Sequence, residues 1–281
     1  MIRCLELYSG TKSVGKVCDA LGWESVSVDL FLEADFKCDI MDFDYKQFSK
    51  DHFDIVWASP PCTFYSNLQN CWIGRKRKDG TLVSKEWIEE QRKESDKLIK
   101  KTFEIINYFN CEYWFLENPQ RGQLKDREVV KDIPFYDVDY CKYSDWGYQK
   151  RTRIWTNKKD FKPLTCNKDC ENMIITDTQK LHSERMGTSK TIEDNGKIIR
   201  VNTKKLREKY KDFPNIQAQH KKVLGNGYEI INGKKELCNT KELRKKQKKH
   251  KTDSSKDIGG GTDRLDRYRI PADLIFSLFL D

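Results

Sequence analysis

A chain of 281 residues with 37% hydrophobic and 35% charged side chains is long enough for one large domain carrying an inserted or appended lobe, or for two modest domains. Its formal charge of +9 describes a soluble globular protein with a lysine-dense surface, which favours a polyanionic partner without specifying one. The ten cysteines are scattered through a chain rich in apolar segments, so they read as reduced thiols and argue against a small disulfide-stapled scaffold.

The N-terminal Met1-Ile2-Arg3-Cys4-Leu5 enters a strand-like segment with no basic leader or long apolar run. The expectation is an intracellular protein that does not engage a membrane. Leu5 to Tyr8 reads as a first strand, followed by the loop Ser9-Gly10-Thr11-Lys12-Ser13-Val14-Gly15 and a helix to Leu21 that Gly22 terminates. Ser25 to Asp29 is a second strand. Phe53 to Ala58 is another, cut off by Ser59-Pro60-Pro61 because proline cannot continue a central strand.

From Glu86 to Phe109 apolar residues recur at helical spacing through Ile88, Leu98, Ile99, Ile105, Ile106 and Phe109. Tyr113 to Glu117 follows as an apolar strand ending in a carboxylate, then Asn118-Pro119. Phe135 to Tyr140 and Arg153 to Thr156 read as closing strands of the same sheet. Short apolar runs alternating with helical patterns over residues 1–157 predict an α/β domain, Rossmann-like, with a mostly parallel sheet.

After Asn157 polar turns and charge runs dominate. Residues 158–261 are expected to form a small inserted recognition lobe, with a hairpin over Tyr228 to Leu237 around Asn232-Gly233 and a basic linker from Arg244 to Lys251 leading to Gly259-Gly260-Gly261. Residues 262–281, with Pro271 opening an apolar helix, are expected to complete the catalytic domain.

The chemistry-bearing residues cluster at predicted strand ends. A glycine-containing loop after the first strand and an acid closing the second suit a nucleoside-bearing cofactor, with Asp29 accepting from ribose hydroxyls. Asp39 is a further acceptor, for an amino group of the base, with Ile40 against the ring. Lys12 stands where another glycine is usual, and no Gly-Lys-Ser/Thr follows, so phosphate binding is not indicated. In Ser59-Pro60-Pro61-Cys62-Thr63 the prolines set a thiol at the carboxyl end of a sheet strand. A thiolate there adds to an electron-poor ring. Glu117 is placed to assist at a ring nitrogen. On a strand, Gln149, Arg151 and Arg153 would share one face, where guanidinium groups can fix a carbonyl oxygen and a phosphate.

Taken together, residues 1–157 resemble the cytosine-5 DNA methyltransferase family. Leu7-Tyr8-Ser9-Gly10-Thr11 is similar to its cofactor loop, Pro61-Cys62 to its catalytic dipeptide, Glu117-Asn118 to its Glu-Asn motif and Gln149-x-Arg151-x-Arg153 to its Gln-x-Arg-x-Arg motif. The resemblance implies S-adenosylmethionine held by Tyr8, Ser9, Gly10, Thr11, Asp29, Leu30, Asp39, Ile40 and Pro60. It also implies attack by Cys62 on carbon 6 of a flipped cytosine, with Glu117, Arg151 and Arg153 on the base. The expected partner is DNA, with RNA as an alternative substrate and a non-catalytic nucleic-acid-binding protein as a competing reading; the chain is expected to be monomeric.

Thr63, Pro119 and Lys12 depart from the family pattern, and Leu224-Gly225-Asn226-Gly227 imitates only part of its C-terminal motif. The basic segment from Ser66 to Gly80, with Arg75, Lys76, Arg77 and Lys78, is a candidate loop for closing over the base. Cys166-x-x-x-Cys170, which His182 could supplement, is one pair where a zinc site usually shows two. No metal is expected on that count.

Overall fold

The computed structural model describes residues 1–175, 180–182, 189–194, 197–202, 228–231, 234–237 and 268–280. They fall into two compact units. The first comprises Met1–Asp145, Gln149–Glu171 and the C-terminal segment; the second comprises Trp146–Tyr148 and the chain from Asn172 until the C-terminal segment begins. Residues 158–171, expected in the recognition lobe, thus belong to the first unit.

That unit is an α/β layer structure on a six-stranded sheet. Its strands are β1 (Arg3–Leu7), β2 (Glu24–Val28), β3 (Ile55–Ala58), β4 (Tyr113–Pro119), β5 (Phe135–Asp139) and β6 (Arg151–Thr156), in the order β2-β1-β3-β4-β6-β5. Strands β1 to β4 pair in parallel, while β6 runs antiparallel to both β4 and β5. The chain moves from β1 to β2 on one side and returns through β3 and β4 on the other. The crevice at the carboxyl ends of β1 and β3 is therefore the topological switch point where such sheets bind ligands.

Alternation along each strand divides the core between two faces. Leu5, Leu7, Val56 and Ala58 pack with Ile105, Ile106 and Phe109 of the long helix α2 (Lys85–Tyr108) and its end. The same helix buries Ile99 against Leu116 and Trp155. Ser84 caps α2 by accepting from the Trp87 N–H at 3.0 Å. On the opposite face Trp57 and Phe115 meet Phe279 of the C-terminal helix, with ring centroids 6.3 and 5.8 Å apart. Trp23, just past α1 (Ser13–Leu21), stacks on the same phenylalanine at 5.5 Å. The C-terminal helix, α3 (Ala272–Leu280), is joined to the start of α1 by the Ile270 N–H donating to Ser13 Oγ at 3.1 Å.

Helix α1 lacks a side-chain cap at Lys12. Its first free N–H groups, on Val14 and Gly15, instead donate to the carboxylate of Glu6 at 3.1 and 3.0 Å. This acid sits mid-strand at 3% exposure. Burial pushes its pKa up to about 7, against the lowering effect of those two N–H groups. The folded state therefore holds the Glu6 proton more tightly than the unfolded chain does. The associated stability is present below about pH 4.5 and is lost as pH rises through about 7, amounting to about 3 kcal/mol. Urea unfolding should show wild type falling relative to E6Q by that order between pH 4 and pH 8. A gap independent of pH would remove Glu6 as its source.

In the second unit the described residues form three antiparallel hairpins: β7 (Met173–Ile175) with β8 (Lys180–His182), β9 (Ser189–Asp194) with β10 (Lys197–Asn202), and β11 (Tyr228–Ile231) with β12 (Lys234–Leu237). The Asn232-Gly233 turn, Leu224 to Gly227, the basic run from Arg244 to Lys251 and the triple glycine lie outside the described residues. Among the described residues no helix is long and apolar enough to cross a membrane.

Candidate active site

The loop after β3 is braced from three sides. The Ser59 N–H donates to Leu7 O at 3.2 Å, Trp57 Nε1 to Ser59 Oγ at 3.0 Å, and the Asn118 side-chain amide to Pro60 O at 2.9 Å. Beyond Cys62, Phe64 O accepts from Arg92 Nε of α2 at 3.2 Å, and the buried Tyr65 hydroxyl donates to Asp96 at 2.9 Å. Asp96 is itself held by Arg127. Gly122 passes close beneath, where a Cβ would meet Pro119 O at 3.1 Å. The backbone carrying Cys62 is thus preorganised by fixed hydrogen bonds, with the residue half-buried.

Glu117, 6% exposed, lies at the end of β4. Its Oε1 accepts from the Tyr140 hydroxyl at 3.0 Å and lies 3.5 Å from Lys150 Nζ. That ammonium also sits 4.6 Å from the Tyr140 ring centroid. Burial raises the Cys62 thiol above its ordinary range; the Glu117 charge adds to this and Lys150 opposes it. Cysteine and glutamate are therefore electrostatically coupled. Tyr140 and Lys150 were not identified from sequence. Their contacts with Glu117 join segments 23 or more residues apart, so no local signal marks them.

Strand β6 begins at Arg151, so Gln149 precedes it and is not on the strand as expected. The two arginines oppose two aspartates of β5 in register, Arg151 with Asp139 and Arg153 with Asp137. Arg153 makes a paired contact to Asp137 at 2.7 and 2.8 Å and lies 3.5 Å over the Phe135 ring. Only 13% of its side chain is exposed. Arg151 has a looser 3.4 Å ion pair with Asp139 and 42% exposure. The two arginines, expected to act alike, are therefore unequal: Arg153 is engaged within the sheet and Arg151 remains open to a ligand.

At the switch point Tyr8, Gly10 and Lys12 all have left-handed backbones, with φ of 57°, 54° and 54°. For the two non-glycine residues this is a strained conformation. Tyr8 is anchored by its hydroxyl to Leu98 O and Thr102 Oγ1 at 3.2 and 3.0 Å. Asp29 holds the opposite wall, accepting from Gly10 N on Oδ2 and from Phe31 N and Leu32 N on Oδ1. Since each carboxylate oxygen has two lone pairs, Oδ2 retains acceptor capacity for a hydroxyl.

Ser9 Oγ is buried with no hydrogen-bond partner among the described residues, and Leu30 is exposed. Asp39 Oδ1 accepts from Met41 N at 2.9 Å, Thr11 Oγ1 lies 3.1 Å from Ser13 Oγ, and Pro60 is buried. Ile40 is packed into the main apolar core at 4% exposure. An orphaned serine hydroxyl, a carboxylate with acceptor capacity and a strained, braced loop fit a ligand bearing a ribose.

The segment from Ser66 to Gly80 is exposed, starting as a short 3-10 turn over Asn67–Trp72. Arg75 lies over Trp72, and Arg77 lies over Trp87 of α2, at 5.5 and 4.9 Å.

A probable DNA (cytosine-5)-methyltransferase of Frog virus 3 (isolate Goorha) is 42% identical over 176 residues, which are 61% of this chain and 79% of that protein. The chain belongs to the cytosine-5 DNA methyltransferase family. No family model matches it.

Among solved structures, this methyltransferase-family chain is similar to S. pombe Dnmt2 (14% identity, TM-score 0.34, covering 60% of this chain and 52% of that one). It is similar as well to the Entamoeba histolytica methyltransferase EhMeth (15%, 0.44, covering 99% and 97%) and to a Spodoptera frugiperda DNMT2 mutant (16%, 0.33, covering 59% and 54%). The matches span about half the length of the two Dnmt2 chains. Family membership rests on the viral relative.

Proposed function

We propose that this protein transfers a methyl group from S-adenosylmethionine to carbon 5 of cytosine in DNA through a covalent Cys62 adduct. The observation that carries the reading is the junction of two strand-end loops. The Asn118 amide binds Pro60 O beside Cys62, while Glu117 couples electrostatically to that thiol.

Cytosine carbon 5 is a poor nucleophile. A thiolate adding at carbon 6 makes it enamine-like and able to take the methyl group that bound S-adenosylmethionine would supply. In this scheme Cys62 forms the carbon-6 bond and is later eliminated as thiolate when the carbon-5 proton passes to a water molecule, while Glu117, carrying a proton as the base enters, donates it in a hydrogen bond to the ring nitrogen that gains electron density. The exposed Arg151 guanidinium engages the base or its phosphate. Ser9 Oγ and Asp29 Oδ2 would hold the sugar of the methyl donor. The target leaves its stack to reach the pocket, at a cost of a few kcal/mol, and the Ser66 to Gly80 segment closes over it.

The test is transfer of a labelled methyl group to matched DNA and RNA of the same sequence, with products identified as nucleosides. Label in DNA as 5-methylcytosine is expected. Label confined to RNA would move the substrate class, label on the exocyclic amine would overturn the chemistry, and cofactor binding without transfer would leave a binding protein.

A further inference from the structure

We propose that Cys141, Cys166 and Cys170 form a structural zinc site at the edge of the sheet in the first unit. Sequence spacing exposed only one pair, Cys166 and Cys170. The fold adds Cys141, from the turn that follows β5, to a loop that follows β6. The three sulphur atoms lie within 4.8 Å of one another, and all three residues are buried. None is in a disulfide. Thiolates around one tetrahedral zinc, at about 2.3 Å each, stand roughly 3.8 Å apart, so a small contraction of this cluster accommodates the ion.

The local backbone has the form of a ligand knuckle. Lys168, between the two loop cysteines, takes a left-handed φ of 63°, unusual for a residue with a Cβ. The turn is closed by the Asn167 N–H donating to Asp169 Oδ1 at 3.0 Å, which holds Cys166 and Cys170 on one short loop. Lys142 neighbours the sulphurs of Cys166 and Cys170 while paired to Asp169 at 2.9 Å, and so offsets part of the charge of a trithiolate centre. Soft thiolates in a tetrahedral arrangement select zinc over the hard divalent cations, and three leave one position for a non-sulphur donor.

The site also connects to the base-facing strand. Buried Asp139 accepts from the Cys166 N–H at 2.8 Å with Oδ2, and its Oδ1 is the ion-pair partner of Arg151. Its own N–H donates to Leu164 O at 3.0 Å. An ion clamping Cys141 to Cys166 therefore fixes the segment that orients Arg151.

The full chain, purified without chelators from zinc-supplemented medium, should contain about one zinc per molecule by mass spectrometry of the metal. Each of C141S, C166S and C170S should drop this below a tenth, while C71S, an exposed thiol in the Asn67–Trp72 turn, should retain it. Because serine variants of buried residues risk misfolding, wild type depleted of metal and titrated with cobalt(II) provides a second reading. It should develop thiolate-to-metal charge transfer with an intensity matching three sulphurs. Metal-free wild type that takes up no cobalt, undiminished zinc in the three variants, or a disulfide between any two of these cysteines in non-reduced peptides would overturn the site.

Discussion

Replacing Cys62 with alanine should reduce methyl transfer to background while leaving cofactor affinity unchanged, since the proposed scheme puts the thiol on the target and leaves the donor to Ser9 and Asp29. The sharper form uses a substrate carrying fluorine at carbon 5. After attack and methylation the enzyme leaves only when the carbon-5 proton is removed, and fluorine cannot depart as a cation. A methyl-dependent adduct that survives denaturation is therefore expected, mapping to Cys62 and nearly absent in C62S, whose hydroxyl is a much weaker nucleophile without its own base. Because burial and Glu117 raise the Cys62 thiol above its ordinary range, adduct formation should accelerate with pH through neutrality and into the alkaline range. Wild-type turnover by C62A would eliminate covalent catalysis.

Glu117→Gln should move two observables in opposite directions. Methyl transfer should slow by about 100-fold or more if the carboxyl assists at the ring nitrogen. The Cys62 thiol should at the same time become more reactive, because the Glu117 charge that raises it is gone while Lys150, which lowers it, remains. Alkylation of Cys62 by iodoacetamide at fixed pH should accelerate several-fold, by general electrostatic reasoning. A variant damaged only in its folding would lose both. Turnover at the wild-type rate would remove Glu117 from the chemistry, and unchanged alkylation would show that it does not govern the thiol.

Local punctuation made much of this site legible. Pro60-Pro61 ended β3 and left Cys62 past the carboxyl end of that strand, Gly22 closed α1 with a φ of 70°, and the apolar repeat delimited α2 to within one residue at each end. These signals work because proline geometry, left-handed glycine and side-chain periodicity are properties of a few neighbouring residues. They located Glu117 and Asp29 at strand ends without requiring knowledge of which strands are neighbours.

Strand order determined the rest. An antiparallel β6 inserted between β4 and β5 brings Tyr140 and Lys150 onto Glu117, pairs Arg153 with Asp137, and collects Cys141 with Cys166 and Cys170. Nothing within ten residues of Arg153 marked it as engaged while Arg151 stayed open, because that difference comes from the aspartates and the aromatic ring across the strand pair. The partners of Glu6 likewise come from the fold, which places the uncapped N–H groups of α1 on its carboxylate. The sequence alone determined the main elements of the sheet domain and placed the candidate reacting groups at strand ends, since those follow from local stereochemistry and residue chemistry. Only the tertiary structure decided which charges neutralise one another and which thiols meet, because burial and pairing depend on residues far apart in the chain.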